Sequence, residues 1–266
     1  MGRSERSSHN FTIYRGEGIV VKYAPRNDRS FDGRIRNELH ALGLIQASHP
    51  DVIPTFRPRP DMNGIELKRL ETRRRKRGKV STDQIIEVVE ALQETPIEDS
   101  GLPRVQLSGY VRGTIERLNY LQSQGRVRGF TKKEVERLKK KYLKSIGVLE
   151  YFSPAFVHTD VQRRHFGKDK DGNLKIFDFD QAHVGSELED FAWLMVRHPR
   201  SAKKIKAHLK QKLARSHYKL AHLEEALEVL KLHFTIKGCY DRTYQSRGRL
   251  FDTASKAYGR LLLHRK

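Results

Sequence analysis

Two aspartates, each placed just after a short apolar segment, are the residues of this chain best suited to chemistry. Asp160 follows the apolar residues 156 and 157, and Asp178 follows the apolar residues 174–177. One carboxylate at a strand end can accept a proton while the other ligates magnesium. The polar residues 168–173 contain a hairpin-turn signal, so we expect both aspartates at the mouth of one β-hairpin. This pattern predicts phosphoryl transfer.

A less specific interpretation exists for each acidic residue, because aspartates are common in turns and helix caps. Asp160 and Asp178 lie beside apolar strand residues, where a carboxylate without a metal or donors is costly, so we favour a site. Asp180 is interpreted as a surface turn residue. His158 is interpreted as a structural histidine, since a buried imidazole more often satisfies the fold than performs chemistry.

The surrounding segments predict an α+β chain whose small β-rich part precedes a larger helical part. A hairpin is expected over residues 11–23, a helix over 31–42 ended by Gly43, and short strands at 52–53 and 65–67. Capping boxes at 81–84 and 131–134 begin two helices, another helix covers 107–124, and helix continues beyond 188 with breaks near 199, 217 and 245–248. The predicted domains are an N-terminal lobe, residues 1–70, and a helical C-terminal lobe, residues 71–266, which holds the catalytic hairpin.

Three motifs resemble the protein-kinase-like superfamily, and are most similar to aminoglycoside phosphotransferases and RIO-type atypical kinases. They are His158-Thr159-Asp160, Phe177-Asp178-Phe179-Asp180, and Gly185-Ser186-Glu187-Leu188-Glu189-Asp190. The resemblance extends from about residue 22 to residue 193. It implies a two-lobed kinase-like fold with a small, truncated β-rich N-lobe and a larger, mainly helical C-lobe.

The resemblance also implies roles for individual residues. Asp160 is similar to the catalytic aspartate that positions or deprotonates the acceptor hydroxyl, and Asp178 to the carboxylate that holds magnesium against the nucleotide. Asp190 is similar to a buried aspartate that braces the catalytic loop.

For the nucleotide, the resemblance implies ATP as cofactor. Lys22 is similar to the lysine that pairs with the α- and β-phosphates, and Glu38 to its ion-pair partner on the following helix. The hinge that contacts adenine would begin at Glu66, Leu67 and Lys68 and extend to residue 70.

His165 departs from the family pattern, which has asparagine at this position. Imidazole nitrogen suits magnesium less well than an amide oxygen and prefers softer ions. Three interpretations are open: His165 ligates a metal, with manganese tolerated in place of magnesium; it holds Asp160 by a hydrogen bond; or the second metal site is lost. Only 21 residues precede Lys22, so the family's first strand and glycine-rich loop are expected to be absent or degenerate.

The formal net charge of +21 predicts polyanionic partners. Basic residues cluster at 73–77, 132–141 and 203–215, and either a solvated surface or an anion-binding surface explains them. We therefore expect a nucleotide, an acidic acceptor and, through the basic patches, nucleic acid as partners, with the oligomeric state left open.

The cellular location follows from what the sequence lacks. No apolar run approaches the ~20 residues that span a bilayer, and residues 1–10 do not have the pattern of a signal peptide. Cys239 is the single cysteine, which fits a reducing compartment. We expect a cytoplasmic protein, with a nuclear location as the alternative because the block at 73–77 is similar to an import signal.

Three functions compete at this point. The first is an ATP-dependent phosphotransferase, a kinase-like enzyme that transfers the γ-phosphoryl group to a hydroxyl acceptor. The second is a pseudokinase scaffold, and the third is a basic nucleic-acid-binding protein without transfer activity.

Overall fold

A computed structural model describes residues 4–6, 12–15, 18–23, 29–72, 80–123 and 132–245 of the chain. The chain folds into two compact units. The first is formed by residues 1–104 with 154–190, and the second by residues 105–153 with 191–266. The predicted division into lobes at residue 70 stays a prediction. Within the described ranges, no helix combines the length and the apolar character that crossing a membrane requires.

The first unit contains a five-stranded antiparallel sheet with the strand order β1-β2-β3-β5-β4. The predicted hairpin is confirmed, because Ile13 of the second strand pairs with Lys22 of the third. A first strand is present but has only three residues, so it is short and not absent. The strands are β1 (Ser4–Arg6), β2 (Thr12–Arg15), β3 (Ile19–Tyr23), β4 (Phe56–Arg59) and β5 (Gly64–Lys68).

Helix α1 (Arg29–Ser48) is longer than the sequence predicted. Gly43 does not end it, because the apolar spacing continues from Leu42 to Ile45, and both side chains are fully buried. The strand predicted at residues 52–53 is also wrong. Pro50–Val52 forms a 3₁₀ turn with proline at its first position, which suits a helical start, and the strand begins at Phe56.

Helix α2 (Thr82–Gln93) begins as predicted. The Ser81 hydroxyl accepts a hydrogen bond from the Gln84 backbone, and the Gln84 side chain accepts one from the Ser81 backbone. The apolar face of this helix, which includes Ile85, Val89 and Leu92, is buried. The capping box therefore predicted both the position and the orientation of the helix.

The two aspartate-bearing segments do not form one hairpin, which corrects the sequence prediction. Strand β6 (Pro154–Val157) pairs with β9 (His183–Ser186), and β7 (Phe166–Lys168) pairs with β8 (Leu174–Ile176) across the predicted turn. Asp160 therefore follows β6, and Asp178 follows β8. The sequence pattern does not predict this pairing, because two apolar runs with a turn signal between them do not reveal that a third strand, β7, lies between them.

The second unit is helical. Its helices are α3 (Leu107–Ser123), α4 (Lys132–Ser145), α6 (Ala202–Lys212) and α7 (His217–Gln245), and α5 (Glu189–Arg197) begins at the end of the first unit. Trp193 packs edge-on against Phe234 at the centre, and the Thr114 hydroxyl lies 2.7 Å from the His233 ring. The predicted helix at 107–124 and the breaks near 199 and 217 are confirmed. The capping residue Thr131, the basic block at 73–77 and the break after residue 245 lie outside the described residues.

Candidate active site

Three charged side chains from distant parts of the first unit meet in one place. The ammonium group of Lys22 lies 2.6 Å from a carboxylate oxygen of Glu38 and 2.7 Å from Oδ1 of Asp178. Lys22 comes from β3, Glu38 from α1, and Asp178 from the residues just after β8. The predicted pair of Lys22 and Glu38 is thus formed, and Asp178 joins it.

Local structure explains how the three residues reach each other. Gly64 of β5 lies against β3, and a Cβ there would come within 2.7 Å of the Lys22 carbonyl oxygen, so only glycine permits this approach. The Asn37 side chain donates hydrogen bonds to the carbonyls of Asp180 and Ala182. That contact fixes α1, and with it the neighbouring Glu38, against the segment that carries Asp178.

Burial and pairing control the charge states of this group. Burial alone would lower the pKa of Lys22, but Glu38, Asp178 and Asp180 outweigh it and raise that pKa, so the ammonium stays charged. Burial raises the pKa of Glu38 to about 7, and the Lys22 charge offsets only part of the effect. Burial would also raise the pKa of Asp178, but the charge of Lys22 and its hydrogen bond hold that pKa well below its usual range. Asp178 is therefore an anion ready to accept a cation.

Asp190 supports the loop between β6 and Asp160. Its buried carboxylate accepts hydrogen bonds from the backbone N–H groups of His158, at 2.8 Å, and Thr159, at 2.9 Å. Thr159 has a φ of 75° and Asp178 a φ of 76°, a left-handed conformation that costs about 1–3 kcal/mol for residues other than glycine. Strained backbone at two positions of one site, braced by a buried carboxylate, is typical of a functional loop.

His158 acts within this brace as a neutral structural residue. One ring nitrogen lies 3.1 Å from the Phe177 carbonyl, and the other accepts a hydrogen bond from the Asp160 backbone. The ring therefore donates from Nε2 and accepts at Nδ1. Complete burial lowers its pKa, which agrees with this neutral form. His158 thereby connects the loop before Asp160 to the residue before Asp178.

His165 lies between the two aspartates. Its Nδ1 is 2.7 Å from the Asp160 carbonyl oxygen, so Nδ1 carries the proton, and its Nε2 is 3.5 Å from Oδ2 of Asp178. Arg164 donates to that Nε2 at 3.0 Å and reaches Oδ2 of Asp160 at 3.5 Å. The Gln162 amide also donates to the Asp160 carboxylate. Asp160 is thus held by three neighbours in the same loop.

A cation could bind between Asp178 and His165. Among the described residues no group of three histidine, cysteine or acidic side chains is arranged for a metal. Two ligands can suffice where phosphate oxygens complete the shell. Neighbouring ligands on an ion with bonds of about 2.1 Å are ~3.0 to ~3.4 Å apart, close to the observed 3.5 Å. The donor set fits one ion, provided that the Arg164 guanidinium leaves Nε2.

A cavity of about 430 Å³ adjoins Lys22 and Asp178. Val20 of β3 and Leu67 of β5 give it an apolar side, and Leu70 lines it where the chain leaves β5. Gly167 lies directly beneath, since a Cβ there would come within 2.6 Å of the Leu70 Cβ. An apolar slot that ends at a charged cluster can hold a flat base with phosphates attached.

The structure brings most of the predicted site residues together, but not all. Leu67 and Lys68 line the cavity, whereas Glu66 does not, because its side chain pairs with Arg57 and Arg59 on β4. The backbone of Glu66 lies in β5, which pairs with β3 on one side and with β4 on the other. Neither Asp160 nor His165 lies in the cavity wall, and both contact Arg164, which does.

Arg164 is the residue that sequence reasoning missed. It lines the cavity and contacts both His165 and Asp160. The sequence contains a signal for it, since two arginines directly before a suspected metal ligand are unusual in a site that binds a cation.

Comparison with known proteins relates this geometry to solved structures. No protein-family model matches the sequence, and no curated protein matches it. A choline/ethanolamine kinase family protein from Mesorhizobium loti matches with a TM-score of 0.64 and 14% identity, over 99% of this chain and 89% of that one. The streptomycin–ATP complex of APH(2″)-IIa matches with a TM-score of 0.62 and 16% identity, over 100% of this chain and 92% of that one. A macrolide 2′-phosphotransferase type I matches with a TM-score of 0.58 and 13% identity, over 96% and 87%.

These likenesses identify the fold. The chain has the protein-kinase-like fold, an α+β arrangement with a small β-rich N-lobe and a mainly helical C-lobe, and the predicted fold class is confirmed.

Proposed function

We propose that this protein is an ATP-dependent phosphotransferase. The observation that carries the proposal is the position of Lys22, whose ammonium group contacts both the buried Glu38 and the strained Asp178 at the end of a cavity. A buried lysine between two carboxylates is costly to build, and a site for nucleotide phosphates explains the cost. One of the similar structures is a ternary complex with streptomycin and ATP, which supports ATP as the nucleotide.

In this proposal the cavity holds the base and Lys22 faces the phosphates. Leu67 and Val20 cover the apolar faces of adenine, and the backbone around Leu70 offers hydrogen bonds to its edge. Glu38 keeps Lys22 charged and in place, since it lies on a helix that Asn37 anchors. Asp180 is a positioning residue here, because its pairing with Arg34 and its charge near Lys22 stabilise the same cluster.

Asp178 and His165 would hold a divalent cation against the phosphates. The cation supplies charge neutralisation on the transferring group. Because one of the two ligands is an imidazole nitrogen, we propose that the site prefers manganese to magnesium. Arg164, released from His165, can then pair with a phosphate oxygen.

Asp160 is the proposed base for the acceptor hydroxyl. Its carboxylate is oriented by Gln162 and by Arg164, and its backbone carbonyl fixes the His165 ring. Proton transfer from the hydroxyl to Asp160 increases the nucleophilicity of the oxygen that attacks the γ-phosphorus. Asp190 holds the loop in the required conformation through its hydrogen bonds from the backbone N–H groups of His158 and Thr159.

Nucleotide-dependent thermal stabilisation tests the proposal. We expect ATP with Mn²⁺ to raise the melting temperature of the wild type, and the increase to disappear in Asp178→Asn. Asp171→Asn, an exposed aspartate in the β7–β8 turn, serves as the matched control and should respond like the wild type. No shift with any pair of nucleotide and divalent cation would refute nucleotide binding.

The role of His165 has its own spectroscopic test. Electron spin-echo modulation of the complex with Mn²⁺ and ADP should show nitrogen coupling from a directly bound imidazole. His165→Asn should remove that coupling and shift the preference of the site towards Mg²⁺. Equal nitrogen coupling in both proteins would show that His165 is not a ligand.

A pseudokinase scaffold is the second candidate function. The hydrogen bond from Arg164 to His165 favours it, because a guanidinium there occupies the nitrogen that a cation would use. Phosphate transfer from labelled ATP to a set of candidate acceptors, lost in Asp160→Asn, would exclude it. Nucleotide binding without transfer to any acceptor would support it.

A further inference from the structure

The net positive charge of the chain lies almost entirely in the second unit. That unit contains 29 lysines and arginines against 9 aspartates and glutamates, whereas the first unit contains 24 against 23. The first unit, which holds the proposed nucleotide site, is thus nearly neutral overall. The electrostatic field that attracts polyanions comes from the helical unit, so the nucleotide site does not explain it.

Helix α4 shows how this charge is displayed. Its apolar side chains, among them Val135, Leu138 and Tyr142, are buried. The remaining face is exposed and strongly basic, and the sequence of the whole helix contains only two acidic residues. The exposed basic side chains are those of Lys132, Lys133, Arg137, Lys140, Lys141 and Lys144. The like charges on this face repel one another unless a bound anion neutralises them.

An exposed aromatic cluster lies where α4 leads into the next element. The chain continues from α4 through a 3₁₀ helix (Ile146–Tyr151), and Tyr151 contacts Tyr218 and His222 in the first turns of α7. The ring centroids are 4.7 Å apart for the two tyrosines and 4.4 Å apart for Tyr151 and His222. Tyr218 is 59% exposed and Tyr151 38%.

Helix α6 adds a second basic element to the same turns of α7. Lys206 and Lys210 both pair with Glu224, the latter at 3.4 Å, six residues beyond Tyr218. Lys219, next to Tyr218, donates to the Ser153 hydroxyl at 2.8 Å. The aromatic cluster of Tyr151, Tyr218 and His222 is therefore attached to two basic helices within one unit.

We infer that this surface of the second unit binds single-stranded nucleic acid. Lysines along α4 and α6 would contact phosphates, and the rings of the aromatic cluster would stack on unpaired bases. The inference does not depend on the proposed function, because every residue that carries it belongs to the second unit.

The chemistry of the surface favours this partner over other polyanions. Among the described residues, the large hydrophobic side chains that are exposed are Leu143, Tyr151 and Tyr218. A membrane-binding helix presents a stripe of aliphatic side chains, and Leu143 alone does not supply one. An acidic polypeptide would match the positive charge, but it offers no series of planar groups on which the aromatic rings could stack. In duplex nucleic acid the base faces are already stacked, so the rings select the single-stranded form.

Fluorescence anisotropy with the full-length protein and a labelled oligouridylate tests the inference across KCl concentrations. Tyr218→Ala should weaken binding roughly five- to a hundred-fold and leave the salt dependence intact, since stacking on a ring does not release counterions. Tyr218→Trp should retain binding, which shows that loss in the alanine variant is not loss of folding. Lys140→Gln should lower the slope of log K against log salt by about 0.7.

Lys170→Gln is the matched control, because Lys170 is also exposed but lies in the first unit. It should bind as the wild type does. Four results would overturn the inference: no binding at low salt, wild-type affinity in Tyr218→Ala, an equal loss of slope in Lys170→Gln, or displacement of the oligonucleotide by polyglutamate or anionic lipid vesicles at equal charge concentration. Thermal stabilisation by ATP should be unaltered in Tyr218→Ala, so failure here and failure of the proposed kinase activity are separate outcomes.

Discussion

Replacing Lys22 with methionine tests whether the buried charge cluster is held together as the distances indicate. Glu38 is only 1% exposed and has Lys22 as a neighbour at 2.6 Å. At a pH above the pKa of Glu38, removing one partner of such a pair leaves an uncompensated buried charge and costs about 3–5 kcal/mol. Asp178 adds little to that cost, because its side chain is 37% exposed and can be solvated. Lys22→Met should therefore be less stable by this amount when unfolding is measured at a pH above the pKa of Glu38.

The second substitution isolates the cause. In Lys22→Met with Glu38→Gln the buried carboxylate is gone, so we expect most of the lost stability to return, to within about 2 kcal/mol of the wild type. Urea denaturation gives the free energies of unfolding, followed by circular dichroism and by the fluorescence of Trp193, the single tryptophan. A double variant that is less stable than Lys22→Met would refute the reasoning, because the two costs would then add.

The pH dependence provides an independent check on the same variant. Burial already raises the pKa of Glu38 from 4.5 to about 7 while Lys22 is present, and removing Lys22 raises that pKa further. The folded state then binds a proton that the unfolded state has released, so stability is greatest below pH 4.5 and falls as pH rises through the folded-state pKa. Lys22→Met should lose stability more steeply than the wild type between about pH 6 and 9. The double variant should lack this additional loss.

Three further predictions concern the frame of the site. Gly167→Ala should displace Leu70 and weaken ATP binding by about ten-fold without unfolding the protein, as measured by calorimetry; wild-type affinity would contradict the packing. Asp190→Asn should cost about 1.5–3 kcal/mol in urea denaturation because one charge-assisted backbone bond is lost, whereas the exposed Asp171→Asn should cost under about 0.5 kcal/mol. His158 has a pKa below 6.5 when folded, so its own contribution to stability decreases as pH falls below 6.5, while the contribution of Glu38 increases. His158→Gln should lose less over that range, and an equal loss would show that the ring is already charged.

The residues of the charge cluster could be predicted from the sequence because each lies on an element with a strong local signal. Lys22 is in a β-branched strand, and Glu38 is on a helix with apolar residues at helical spacing. The pairing of β6 with β9 could not be predicted in the same way. It joins residues about thirty positions apart in sequence, and no local pattern specifies a strand partner at that distance.

The hinge and Arg164 show a second kind of limit. The resemblance predicts Glu66 at the nucleotide, but its side chain pairs with arginines from the neighbouring strand. Arg164 is exposed to the cavity and approaches His165 only because a 3₁₀ turn (Arg163–His165) rotates the loop. Contacts that depend on the conformation of a short turn are determined by tertiary structure and are not visible in residue spacing.

Direct measurement of nucleotide affinity tests the central claim, that Lys22 and Asp178 form a site for a nucleotide with a divalent cation. Isothermal titration calorimetry with ATP and Mn²⁺ should show one binding site per chain for the wild type. Asp178→Asn and Lys22→Met should each weaken it at least ten-fold, and the exposed control Asp171→Asn should bind like the wild type. Equal affinity in wild type and Asp178→Asn, or no heat of binding with any nucleotide and cation, would contradict the claim.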